Sequence, residues 1–229
     1  MNRTFDRLVE FDEESRSYPI RTLVASKQPR SYSWRGGRSS RGRAPSISAA
    51  VLDQGREGAC VGFAWAHELN ARPKVVEVNE LFARGIYLEA RRVDQWPGED
   101  YDGTSVLAGA KVVQSAGFMA EYRWAFGLSD LVLALGYTGP AVLGVNWYTG
   151  MMDPDSDGYI HPTGQVEGGH AIEAFGVSTR LRRIALLNSW GPDWGRNGVC
   201  YLSWDDMARL LSEQGEACVP VTRIHKEFA

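Results

Sequence analysis

Apolar positions divide the chain into a helical first half and a strand-rich second half. Residues 59–70 run through Ala, Val, Phe, Trp and Leu with few breakers, which predicts a buried helix stopped by Pro73. Asn79 can cap a second helix reaching about Asp94, with Leu81, Ile86 and Leu88 at its apolar positions. Thr104 or Ser105 can cap a third over residues 106–115, closed by Gly117. After a short helix at residues 129–135 the pattern changes. Residues 140–147 read as a buried strand, and residues 169–177, 183–188 and 199–204 as three more, before a last short helix through Leu211. Helices precede strands, with no strand–helix alternation and no internal repeat. That order predicts an α+β protein in which a helical half meets a sheet half.

Residues 1–50 show no sustained periodicity. Pro19, Pro29 and Pro45, with Arg30, Arg35, Arg38, Arg41 and Arg43 set among Gly and Ser, predict extended, irregular chain. The expected organisation is an extension over residues 1–49 ahead of a domain over 50–229, its helical lobe at about 50–127 and its sheet lobe at about 128–229. Residues 1–50 hold ten Lys/Arg against five Asp/Glu, a net of +5 that leaves −8 for the rest of a chain whose total is −3. A flexible, exposed arm is the plain reading of these arginines. The competing reading is a nucleic-acid contact, with Tyr32 and Trp34 stacking on bases and the arginines on phosphate. The acidic body argues against it, so a nucleic-acid partner is not expected.

Composition narrows the class further. With 44% hydrophobic and 23% charged residues, disorder as the main state is excluded. No apolar run approaches the ~18–20 residues of a membrane helix, and Met1–Asp6 lacks an apolar signal core. The expectation is a cytoplasmic protein with no membrane partner. Three cysteines, Cys60, Cys200 and Cys218, cannot build a dense disulfide framework and lack the spacing of a zinc site. No cofactor or metal is called for. Residues 153–160 begin like a calcium loop, but Gly164 stands where the bidentate Glu belongs, so an acidic hairpin loop is expected.

Candidate chemistry centres on Asp53-Gln54-Gly55-Arg56-Glu57-Gly58-Ala59-Cys60, where a cysteine ends a Gly-rich turn and starts an apolar helix. The free N–H groups and dipole of a helix N-terminus lower a thiol pKa. Gly58 lets a substrate backbone come close, and the Gln54 amide can join the Cys60 N–H as an oxyanion donor. The bland alternative is a small buried hydrophobe. A thiolate needs a base, and the base an orienting partner. Gly168-Gly169-His170 places a histidine on a predicted strand, where Gly169 leaves room for a ligand. Leu187-Asn188-Ser189-Trp190 ends the next strand. Pairing of the two strands brings Asn188 to the imidazole, with Trp190 covering the hydrogen bond. His67, seven residues past Cys60 on a helix, lies ~10 Å along the axis and is no base for it. His161 reads as a solvent-exposed loop residue.

These residues resemble the papain/cathepsin family of cysteine peptidases. The resemblance rests on Gln54-Gly55-x-x-Gly58-Ala59-Cys60, Gly169-His170-Ala171 and Asn188-Ser189-Trp190-Gly191-x-x-Trp194-Gly195-x-x-Gly198, and covers about residues 50–215. It implies a two-lobed fold with a helical lobe, an antiparallel sheet or barrel lobe and a cleft between them. It also implies a catalytic set of Cys60 as nucleophile, His170 as acid/base, Asn188 as its orienting partner and Gln54 in the oxyanion hole. Gly58, Gly103, Gly169 and Trp190 are the expected substrate contacts, and the substrate a peptide or protein.

Three features depart from the family pattern. Val61 stands where a Trp usually follows the nucleophile, and Glu57 replaces a disulfide cysteine. Only Tyr101-Asp102-Gly103-Thr104 roughly matches the substrate-holding glycine pair. No long helical prosegment precedes Gln54, so residues 1–49 are expected to wrap the body, with blockage of the cleft as the alternative. Two other functions compete with a peptidase: an acyl-transfer enzyme (ligase or amidase) on the same site, and a catalytically idle binding module.

Overall fold

The computed structural model describes residues 4–35, 50–96 and 102–224. Its elements in order are β1 (Arg7–Leu8), α1 (Glu13–Arg16), α2 (Arg21–Val24), β2 (Tyr32–Ser33), α3 (Cys60–Leu69), α4 (Glu80–Val93), β3 (Thr104–Ser105) and α5 (Val106–Ser115). There follow β4 (Met119–Trp124), α6 (Leu128–Tyr137), β5 (Ala141–Tyr148), β6 (Val166–Ser178), β7 (Arg183–Leu187), β8 (Val199–Ser203), α7 (Trp204–Ser212) and β9 (Glu216–Arg223).

The predicted helices form, and their caps have physical partners. Asn79 Oδ1 accepts from Phe82 N at 2.9 Å, and Ser105 Oγ accepts from Ala108 N at 2.9 Å. Of the apolar positions expected for α4, Ile86 is buried, whereas Leu81 and Leu88 are exposed, and Ala83, Tyr87 and Ala90 complete the buried face. Helix α3 is buried on every side, because α4 and α5 both pack on it. Gly62 makes that possible, since a Cβ there would collide with the Ala83 carbonyl and Tyr87.

Strands run in the order β4-β9-β5-β6-β7-β8, with β2 added to β6, making seven strands among the described residues. Every pairing in this sheet is antiparallel. The sheet is open, so of the two forms expected for the second lobe it is the sheet and not a closed barrel. Strand β4 lies inside the expected helical lobe yet joins the sheet through β9, so the boundary near residue 127 does not separate helices from strands.

The sheet's middle is buried on both faces, which explains the unbroken apolar run of β5. Leu143, Val145, Ile172, Ala217 and Val219 belong to one core with α6 and α7. Val142, Ala171 and Cys218 face the other core, with α3, α4 and α5. Alternation along each strand assigns neighbours to opposite cores. No helix among the described residues is long and apolar enough to cross a membrane.

Of the arginine run expected as an exposed arm, the described residues 30–35 are tied to the body. Ile20, Val24 and Trp34 are buried, and Tyr32–Ser33 pairs with β6. Trp34 Nε1 donates to Leu135 O at 2.8 Å, which removes Trp34 from any stacking role. Arg35 Nε bonds Glu173 Oε2 at 2.6 Å with both side chains buried, and its Nη2 donates to the His67 carbonyl. Arg30 Nε donates to Gly136 O at 2.5 Å. These arginines are held by carbonyls and a carboxylate that no local pattern reveals. Arg38, Arg41 and Arg43 lie outside the described residues.

Candidate active site

Cys60 is the first residue of α3, after Ala59, which offers no side-chain cap. The first-turn amides therefore have no side-chain cap, and the Val61 backbone is one of the groups that favour the thiolate. The backbones of Ala171, Asp6 and Val61 lie close enough to the Cys60 thiol to favour its ionised form. Ala171 is the neighbour of His170 on β6, so nucleophile and base candidates meet where α3 packs on the sheet.

Antiparallel pairing of β6 with β7 brings the two remaining positions together. His170 Nε2 lies 2.8 Å from Asn188 Oδ1. The same oxygen accepts the Ser189 N–H at 2.9 Å, which identifies it as the amide oxygen and His170 Nε2 as the donor. Nδ1 is thereby the unprotonated nitrogen of the neutral ring. Rings enclose the pair: Trp147 is 4.7 Å from the imidazole centroid, Trp190 5.2 Å and Phe5 5.9 Å. Both His170 and Asn188 are fully buried, so water does not compete for their bond.

Gln54 is fixed from two sides. Its backbone N–H donates to Ser189 O at 2.9 Å. Its Oε1 accepts from Ser189 Oγ at 2.6 Å, and its Nε2 donates to Glu57 O at 3.0 Å. One Nε2 hydrogen is left over for a ligand. Ser189, chosen in the sequence only as part of a motif, thus connects the imidazole partner Asn188 to the amide of Gln54. A buried Ser beside an Asn carries no local sign of that role.

The four expected substrate contacts, Gly58, Gly103, Gly169 and Trp190, do converge, and the chain's own residues 5–7 lie on them. A Cβ at Gly58 or Gly103 would collide with Asp6, and one at Gly169 with the Arg7 carbonyl. Trp190 packs edge-on against Phe5 at 5.8 Å. Thr104 N donates to Asp6 O at 3.2 Å, and β1 pairs with β3. The expectation that the first residues only wrap the body is therefore corrected. Residues 5–8 cross the site, while residues 20–35 wrap the sheet lobe.

This cover reverses the expected thiol electrostatics. Burial pushes Cys60 up to about 11, against backbone hydrogen bonds that act downward. The helix N-terminus does not win while the sulfur is excluded from water. Burial likewise pushes up Cys200 and Cys218, and all three thiols are free.

The other histidines sit as structural groups. His67 Nε2 accepts from Leu52 N at 3.1 Å, and burial holds the ring neutral with its pKa well below the ordinary value. His161 is half-exposed and 2.9 Å from Asp155 Oδ2. Asp155 Oδ1 accepts from Asp157 N and Tyr159 N, so that carboxylate closes its own loop. Groups of three or more His, Cys, Asp or Glu arranged for a metal are absent among the described residues.

Compared with solved structures, the chain superposes on xylellain, a cysteine protease from Xylella fastidiosa, with a TM-score of 0.66 over 98% of this chain and 99% of that one, at 18% identity. The chain has the papain-like cysteine-protease fold. This papain-like chain also superposes on procathepsin B S9 from Trypanosoma congolense, with a TM-score of 0.64 over 96% and 87% of the two chains at 13% identity. In sequence it is 38% identical over 71 residues to cathepsin B-like CP3 of Giardia intestinalis, a match covering 30% of this chain and 24% of the relative. It is 31% identical over 98 residues to cathepsin B-like CP2 of the same organism, covering 42% and 33%. The papain-like chain thus matches about a quarter to a third of those relatives' length. No protein-family model matches it.

Proposed function

We propose that this chain is a cysteine peptidase, held latent by its own residues 5–8, that cleaves peptide bonds through Cys60 and His170. The observation that carries this reading is the 2.8 Å bond from His170 Nε2 to Asn188 Oδ1, beside a thiol at the head of α3. It leaves Nδ1 as the proton acceptor and orients the ring towards the nucleophile.

With a peptide in place of residues 5–8, the thiol proton passes to His170 Nδ1. The sulfur bonds to the carbonyl carbon, and the resulting oxyanion meets the Cys60 N–H and the free Nε2 hydrogen of Gln54. His170 returns the proton to the amine as the C–N bond breaks, leaving a thioester. Water then gives a proton to His170 and attacks the thioester. The C–S bond breaks and the thiol is restored. Three unpaired thiols suit a reducing compartment such as the cytoplasm.

The test is labelling with a peptidyl epoxide directed at thiol peptidases, read by intact mass on the full chain and on its Phe5→Ala and Cys60→Ala variants. The expected result is one adduct, faster in Phe5→Ala and absent from Cys60→Ala. A folded Phe5→Ala chain that takes no adduct at neutral pH would sink the peptidase reading.

A further inference from the structure

Arg35 joins the two elements that carry the candidate nucleophile and base. It follows β2, whose Tyr32 and Ser33 pair with Val177 and Gly176 of β6, and Trp34 N continues that path by donating to Phe175 O at 2.8 Å. The next side chain turns in at Glu173, on the same strand and three residues from His170. Arg35 Nε bonds Glu173 Oε2 at 2.6 Å, and the two side chains are 6% and 0% exposed. From the same guanidinium, Nη2 donates to His67 O and Nη1 to Asn70 Oδ1 at 3.4 Å. His67 lies in the last turn of α3, and Asn70 is its C-cap.

Alternation along β6 puts Ala171 and Glu173 on one face, towards α3, and His170 on the other, among the rings of Trp147 and Trp190. Helix α3 thus meets β6 at two points. At its first residue the Cys60 thiol lies against the Ala171 backbone. At its last turn Arg35 links it to Glu173. Two points of contact fix the rotation of the helix over the strand as well as its distance. The Arg223–Glu68 ion pair does not duplicate this link. It joins the same end of α3 to β9, which β5 separates from β6.

We infer that Arg35 is a positioning residue for the reaction, holding the strand of His170 in place against the helix of Cys60. The inference rests on the peptidase reading for the reaction it serves. A guanidinium suits the task because its planar fork of donors reaches a carboxylate and a carbonyl at once, and a cation is favoured at the C-terminal end of a helix. An ion pair this deep adds little net stability over a well-packed apolar pair, so geometry is what it supplies. Misplacement of reacting groups by about 1 Å costs on the order of a hundredfold in rate. Residues 32–35 are thereby a lasting part of the working site, in contrast to residues 5–8, which must leave it.

The experiment compares Arg35→Met/Glu173→Leu with the parent in the full chain, both carrying Phe5→Ala to uncover the site. The apolar pair leaves neither Arg35 nor Glu173 as a buried charge without its partner, so stability by urea unfolding should stay near the parent's. With a fluorogenic peptide, kcat should fall about tenfold or more while KM stays within about twofold. Arg35→Lys keeps the charge opposite Glu173 but lacks the fork, and it stands in with the same expectation if the apolar pair does not fold. Full kcat in the folded variant, or a loss confined to KM, overturns the inference and leaves the peptidase reading intact. If the Phe5→Ala chain itself cuts no peptide, the peptidase reading fails, and amide hydrogen exchange decides the link by itself. Faster exchange in both α3 and residues 170–174 of the folded variant supports it. A change confined to residues 30–35, or none, overturns it.

Discussion

The Phe5 ring meets the His170 imidazole edge-on at 5.9 Å, and the same ring packs on Trp190 at 5.8 Å. A residue from the start of the chain thus closes the aromatic box around the candidate base. Trp147 and Trp190 supply its other walls. Removing Phe5 is the smallest change that opens the box to water. Phe5→Ala is expected to raise the rate of Cys60 alkylation at neutral pH about tenfold or more, because thiolate fraction limits that rate. Alkylation kinetics followed by mass would show this, and an unchanged rate would mean that Phe5 does not gate the thiol.

The thiol itself sets a pH signature. Burial raises Cys60 to about 11, so the neutral thiol is the form favoured in the covered state. The sign follows: the stability this group contributes is present below its ordinary value of 9.0 and is lost as pH rises through about 11. Iodoacetamide labelling of the intact chain should climb steeply only above pH 9. In Phe5→Ala the climb should begin at lower pH. Identical profiles for the two chains would refute the burial account.

Ser189 is expected to act on turnover through Gln54. Its Oγ holds Gln54 Oε1 at 2.6 Å, and its own N–H donates to Asn188 Oδ1. Ser189→Ala leaves the amide held only by its Nε2 bond to Glu57 O, so it can tilt. Loss of a whole oxyanion donor costs about 10²–10³ in kcat, so misorientation of one should cost roughly tenfold. The fall should appear in kcat with little change in KM, measured in the Phe5→Ala background. A change confined to KM would place Ser189 in substrate binding instead.

Asn188→Ala tests the orienting bond. The imidazole Nε2–H loses its acceptor and becomes a buried unpaired donor. Turnover should fall by on the order of 10² or more, with the fold retained by circular dichroism. Asn188→Gln, whose carbonyl is one methylene further out, should not restore it.

Arg35 anchors the wrapping segment to a carboxylate inside the fold. Glu173 is fully buried, and burial raises its pKa to about 7 despite the Arg35 guanidinium beside it. Arg35→Ala leaves that carboxylate without its partner and is expected to destabilise the chain by about 3–5 kcal/mol, measured by urea unfolding. A raised carboxyl contributes stability that is full below about pH 4.5 and lost as pH rises through about 7. Glu173→Gln should therefore weaken the loss of stability between pH 5 and pH 8 seen in the parent chain.

The site motifs were legible because they are local. A cysteine after Gly58-Ala59 at the head of an apolar run needs only helix physics to be singled out, and Gly169-His170 with Asn188-Ser189-Trp190 needs only strand pairing. The helices α3, α4 and α5 and the strands β5 to β8 follow from periodicity, and Asn79, Ser105 and Ser203 cap helices as their chemistry dictates. Strands β4 and β9 were not legible: Glu121, Tyr122 and Arg123 on one, with Glu216 and Pro220 on the other, hide the alternation.

What the sequence determined by itself was the inventory: helices before strands, a thiol at a helix start, an imidazole and an amide on neighbouring strands. What only the tertiary structure decided was where residues 4–35 go. Phe5, Asp6 and Arg7 carry no periodic pattern, and Arg35 reads as one of a solvated run. Their partners are His170, Cys60, Glu216 and Glu173, all more than fifty residues away. Local propensity cannot encode such pairings. They exist because the folded body presents buried carboxylates and apolar walls, which residues 5–8 meet at the site and Arg35 meets beside β6.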